Sequence, residues 1–172
     1  MDLSQALRMV SLSDAGMVRS HNEDAVFFNA AQGMAILADG MGGYNAGEVA
    51  SGMATTLLGS ELEKAFQKAG PHQVDVSGKL HSHGVLEAEI ARANTAIYQA
   101  AQSQPQYAGM GTTLVVALFY DNMMTVAHIG DSRLYRLRGD EFHAVTRDHS
   151  LLQEQIDSGM ITAEEARHSQ NK

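Results

Sequence analysis

The chain has 172 residues, 44% of them hydrophobic, with 12 Lys and Arg set against 20 Asp and Glu for a formal net charge of −8, and no cysteine. That length suits one ordinary domain with a single core. The acid excess leaves no basic footprint for a nucleic-acid partner, and the lack of cysteine removes disulfides, thiolate catalysis and Cys-ligated zinc. No apolar run reaches the length of a bilayer span, and the first eight residues have neither the basic lead nor the apolar stretch of a secretory signal, so no membrane partner and a cytoplasmic address are expected.

In chain order, residues 8–13 and 25–29 read as short strands, and residues 33–38 form an apolar run that ends at Asp39. Asn45 stands where it would cap a helix whose third position is Glu48, with Val49, Met53, Leu57 and Leu58 at helical spacing to about residue 66. Residues 69–84 show no period and read as a connector. Its His72, His81 and His83 lack acidic or Cys partners at ligand spacing, so a solvated loop is expected rather than a zinc site. Leu86, Ile90, Ala93, Ile97 and Ala101 define a second amphipathic helix. Residues 114–120 and 123–129 form a hairpin about an Asp121-Asn122 turn, and strands at 133–138 and 142–145 extend it into an antiparallel meander. Ser150-x-x-Gln153 and Thr162-x-x-Glu165 have capping-box spacing and predict two short helices. Strands, two helices and strands again is an α+β order without βαβ alternation.

The chemistry concentrates in Arg19-x-x-Asn22-Glu23-Asp24 and Asp39-Gly40-Met41-Gly42-Gly43, two acidic motifs on neighbouring strand-like segments. Carboxylates held on rigid elements suit hard cations such as Mg²⁺ and Mn²⁺, which demand oxygen ligands at fixed distances. In isolation Asp39-Gly40 is equally an ordinary turn and Glu23-Asp24 a solvated pair.

Together with Gly111-Thr112-Thr113, Gly130-Asp131-Ser132-Arg133 and Asp148-His149-Ser150, these motifs resemble, in order and context, the PPM family of metal-dependent Ser/Thr protein phosphatases, the type 2C-like enzymes, in its bacterial form. The resemblance implies a sandwich of two antiparallel β-sheets flanked by helices, one domain over residues 1–172 with a flap-like helical segment at 150–172. It implies two Mn²⁺ or Mg²⁺ ions and a third, weaker site. By position Asp39 is the bridging carboxylate, Gly40 a backbone ligand, Glu23 a metal ligand, Asp131 the residue of the third site, Asp24 the group that orients water and Arg19 the grip on phosphate. The expected reaction is direct attack of a metal-activated water on a phosphoserine or phosphothreonine protein, with an opposing Ser/Thr kinase in the same signalling pathway. Met41, where some relatives carry His, has no proton to give the leaving group. Gly111-Thr112-Thr113 and Arg133 are expected to be structural, the arginine pairing beneath the cleft.

The family continues past the Asp148 motif to two further aspartate ligands that have no counterpart here. The chain is therefore expected to be an N-terminal portion of a longer enzyme, incomplete at its C-terminus, whose open strand edges favour self-association. A non-catalytic phosphoprotein-binding module and a small-molecule phosphoesterase on the same scaffold are the alternatives.

Overall fold

A computed structural model describes residues 2–43 and 45–167. Its centre is an antiparallel sheet of β1 (Asp24–Asn29), β2 (Met34–Met41), β3 (Gly111–Thr112), β4 (Leu114–Tyr120) and β5 (Met123–Ile129), ordered β1-β2-β4-β5 with β3 on the end of β2. β2 shows why the sheet has two distinct faces. Its residues alternate between buried Met34, Ile36, Ala38 and Gly40 and the more open Ala35, Leu37, Asp39 and Met41, as the two-residue period of a strand requires. β4, central in the sheet, is buried along nearly its whole length.

Two long helices, α1 (Ala46–Lys68) and α2 (His81–Ser103), cover the buried face. Leu58 and Leu62 of α1 are fully buried in one cluster with Met34, Ile36, Leu86, Val116 and Leu118. In a second cluster, Ile97 and Met110 pack with Ala38 of β2 and Ala46, Ala50 and Ala54 of α1, and the alanines let the start of α1 lie close to β2. At its tightest point two glycines meet: a methyl on Gly40 would stand 2.0 Å from the Gly47 carbonyl oxygen.

The expected hairpin is present at its expected boundaries, with Asp121 and Asn122 both at positive φ (46° and 60°), the geometry of a type I′ turn. The meander, however, stops at β5. Gly130 adopts φ +94° and swings the chain out of the sheet, so β6 (Tyr135–Arg138) and β7 (Glu141–Ala144) form a separate two-stranded antiparallel sheet. Two antiparallel sheets with helices is the expected α+β class.

Residues 8–13 are not a strand. Their apolar alternation finds no pairing partner among the described residues, and Val10 and Leu12 are 86% and 92% exposed. The connector is also shorter than expected. Asp75 Oδ1 accepts from the Ser77 and Lys79 amides at 2.7 and 3.0 Å, closing a turn that lets α2 begin at His81. His81 and His83 are thus helical rather than in a loop, and His72 pairs with Asp121 at 3.2 Å. Asn45 is the N-cap residue of α1 but makes no side-chain cap bond.

Both capping-box sequences begin short helices, α3 (Leu151–Asp157) and α4 (Ala163–Arg167), the second box reciprocal and the first with its Gln153 side chain turned to Asp157 instead. The Gln153 amide donates to Ser150 Oγ, and the Thr162 and Glu165 side chains each accept the other's amide. The last five residues of the flap-like segment lie outside the described residues. Among those described, no helix is long and apolar enough to cross a membrane.

Candidate metal centre

The β1–β2 register places Asp24 directly opposite Asp39. Opposed residues of an antiparallel pair project to the same face, so the two carboxylates stand side by side on the more open face of the sheet, at the end where β2 meets α1. Asp39 is anchored through its backbone: its amide donates to Thr113 Oγ1 (3.1 Å), and its carbonyl accepts from the Thr113 amide (2.9 Å) and Thr112 Oγ1 (3.0 Å). The Thr113 hydroxyl also meets Ser132 Oγ at 2.7 Å, which draws the Asp131 turn towards β2.

Although Asp39 is open to solvent at the rim, its carboxyl titrates above the usual carboxylate range. Partial desolvation is the largest cause, followed by the Asp24 charge and a hydrogen bond shared with Asp24; Asp131 adds to the rise and Arg19 opposes it. Asp39 therefore meets like charge from both Asp24 and Asp131, a repulsion that a bound cation would relieve.

Glu23 reaches the cluster from the residue before β1. Its carbonyl accepts from the Gly40 amide (3.1 Å) and Ser51 Oγ (2.6 Å), fixing its backbone between β2 and α1. The side chain is only 11% exposed and lies against Gly47, where an added methyl would come within 2.6 Å of Oε1. Oε2 accepts from Arg19 Nη1 at 3.2 Å. Among the described residues Oε1 is buried without a hydrogen-bond partner, with His21 Nε2 3.9 Å away. A buried, unpartnered carboxylate oxygen is costly unless something else binds it.

The acidic residues thus fit a divalent cation in charge and donor type. Glu23, Asp24, Asp39 and Asp131 gather at one end of the sheet, with the Gly40 backbone between Asp39 and Glu23 and Arg19 bonded to Glu23. The set is a partial one: among the described residues no three His, Cys, Asp or Glu side chains converge closely enough to hold an ion by themselves. Met41 is 54% exposed beside them, facing Gly111 across the β2–β3 pair.

Motif reading does not find Ser51 and Gly47, and it names Ser132 within the Gly130-Asp131-Ser132-Arg133 motif without giving it a role. Each acts on the site by a contact across the fold, and the faint signal was two small residues on the first turns of α1, four residues apart.

The protein phosphatase 2C family profile matches residues 17–168, and the chain belongs to that family. It is 42% identical over 158 residues to protein phosphatase PhpP of Streptococcus pneumoniae, covering 90% of this chain and 60% of that protein. Its fold superposes on the crystal structure of the Mycobacterium tuberculosis serine/threonine phosphatase PstP/Ppp with a TM-score of 0.78 at 38% identity, covering 93% of this chain and 62% of that one. The PstP catalytic domain solved with two manganese ions matches with a TM-score of 0.72 at 39% identity, covering 90% of this chain and 61% of that one. The chain spans about 60% of the length of these relatives.

Proposed function

We propose that this chain supplies part of the active centre of a Mn²⁺- or Mg²⁺-dependent phosphatase acting on phosphoserine and phosphothreonine in proteins. The observation that carries the reading is the buried Glu23 Oε1, without a hydrogen-bond partner among the described residues, together with Asp39, which meets like charge from Asp24 and Asp131. Family membership and the two manganese ions of the related PstP domain support it.

Glu23, Asp39 and the Gly40 carbonyl would hold two ions and Asp131 a third, weaker one, with the remaining ligands lying outside this chain. Bound there, the cations supply the acidity that activates water and the positive charge that offsets the phosphoryl oxygens. The chain's own groups do the rest. Asp24, one strand across from Asp39, would accept a hydrogen bond from the attacking water and orient it. Arg19, released from Glu23 when that carboxylate turns to a cation, presents its planar donor fork to the phosphate. Met41, beside the site, has no proton to give the leaving alkoxide, which would take it from water or another group.

The substrate implies a Ser/Thr kinase acting in the opposite sense in a shared signalling pathway in the cytoplasm, and α3 and α4 belong to a flap-like segment of the one phosphatase domain.

The test is phosphate release from a phosphothreonine peptide by a polypeptide of the relatives' length, with and without Mn²⁺, alongside Asp39→Asn. Metal-dependent release lost in Asp39→Asn supports the reading. Retained activity in Asp39→Asn, or in a chelator, overturns it; binding of the peptide without hydrolysis points to a phosphoprotein-binding module, and hydrolysis confined to small esters to a small-molecule phosphoesterase.

A further inference from the structure

We infer that His149 is a positioning residue that holds Asp131 against the carboxylate cluster, an inference that rests on the metal-dependent reading above. Asp131 lies in an exposed turn and faces like charge from Asp39. Left to itself, such a turn relaxes so as to carry its carboxylate away from the repulsion. Something must offset that tendency, and His149 is placed to do so.

The His149 amide donates to the Gly130 carbonyl at 2.9 Å, and the Gly130 amide donates back to His149 Nδ1 at 3.3 Å. Two bonds to one residue fix both peptide planes around Gly130, whose φ of +94° sets the direction in which the chain leaves β5. Acceptance at Nδ1 places the His149 proton on Nε2.

The His149 ring is held in turn. It lies against the His128 ring with centroids 4.5 Å apart, and His128 Nε2 donates to the Arg147 carbonyl at 2.7 Å. Next to it, Arg133 Nε and Nη2 donate to the two Asp148 oxygens at 2.8 and 2.6 Å. On the opposite side of Asp131, Ser132 is bonded to Thr113, which accepts the Asp39 amide. Asp131 therefore sits between two anchors, Gly130 on His149 and Ser132 on the Asp39 strand. Groups that orient a ligand from behind in this way commonly change metal affinity tenfold or more when removed.

The experiment compares His149→Ala, His149→Gln and His149→Asn in the full 172-residue chain. Asn keeps an acceptor where Nδ1 stands, whereas Gln carries it farther out. Hydrogen exchange at the Gly130 and Asp131 amides is measured without metal, and binding of Mn²⁺ alone by titration. Exchange at Gly130 is expected to accelerate about tenfold in the Ala and Gln variants and to stay within about twofold in Asn, and Mn²⁺ affinity is expected to fall about tenfold in Ala and recover in Asn. In an Asp131→Ala background His149→Ala should leave the Mn²⁺ isotherm unchanged. Unaltered exchange in His149→Ala, an Asn variant as impaired as Ala, or an equal loss of affinity without Asp131 overturns the inference, as does lowered thermal stability with an unchanged isotherm. If the native chain and Asp39→Asn take up Mn²⁺ alike, the metal reading itself fails, and the exchange measurement still decides whether His149 holds the turn.

Discussion

Asp39 and Asp148 bear opposite electrostatic costs, and the difference is measurable. Desolvation, then Asp24, raises the Asp39 carboxyl, so the metal-free fold loses stability as pH rises from the unfolded carboxylate value of about 3.9 through the raised folded value. Asp39→Asn removes that repulsion. It is expected to match or exceed the native chain in thermal stability at pH 7 without metal, while showing none of the upward shift that Mn²⁺ produces in the native chain. Asp148 is the reverse case, held below the usual range chiefly by its two hydrogen bonds from Arg133, whose own basicity is raised in return. Its contribution is complete above about pH 3.9 and is lost as pH falls through the lowered folded value. Asp148→Asn should therefore be less stable than the native chain at pH 7 and the two should converge in acid, as followed by urea unfolding across pH 2–7.

Element by element, the contact between β2 and α1 controls the site. Gly47 has no room for a methyl: it would stand 2.6 Å from Glu23 Oε1 and 2.9 Å from the Gly40 carbonyl carbon. Gly47→Ala is expected to push the first turn of α1 outward, costing about 1–3 kcal/mol in urea unfolding and weakening Mn²⁺ binding through displacement of Glu23. Gly40→Ala, blocked by backbone at 2.0 Å, should be the more damaging of the two. This contact also marks where sequence reading stops. β4 and β5 were legible to the residue because apolar runs about an Asp-Asn turn are local signals. Residues 8–13 misled because alternation records only which side chains would share a face, and a strand also needs a partner. The meander misled because the swing at Gly130 depends on His149, nineteen residues later.

Across the whole molecule, the acidic residues were legible and their support only in part: Thr113 stood in a motif expected to be structural, whereas Gly47 and Ser51 gave no motif signal. Arg19, Glu23, Asp24 and Asp39 stand out in short motifs, but the burial of Glu23 depends on Gly47 and Ser51, and the approach of Asp131 depends on Thr113 and Ser132. The surface carries a further consequence. Val10, Leu12, Met17 and Val18 are 86–101% exposed and Leu137 and Phe142 of the β6–β7 sheet 69% and 66%, an unusual density of large apolar side chains for an isolated chain. Sedimentation velocity is expected to show concentration-dependent association of this polypeptide, reduced in a Leu137→Lys, Phe142→Lys double variant. A single sharp monomer boundary across micromolar concentrations would count against it.

The pairing of Asp24 with Asp39 is decided at the far end of their hairpin. Residues 30–33 set the register, with Gly33 at φ +66° and its amide donating to the Ala30 carbonyl at 3.2 Å. Because side chains alternate, a slip of one residue moves every side chain of the slipped strand to the opposite face. One amino acid inserted between Ala31 and Gly33 would alter no acidic residue, yet it would leave one aspartate on the open face and turn the other under α1. Length variation in this distant turn should therefore be as damaging as loss of a ligand.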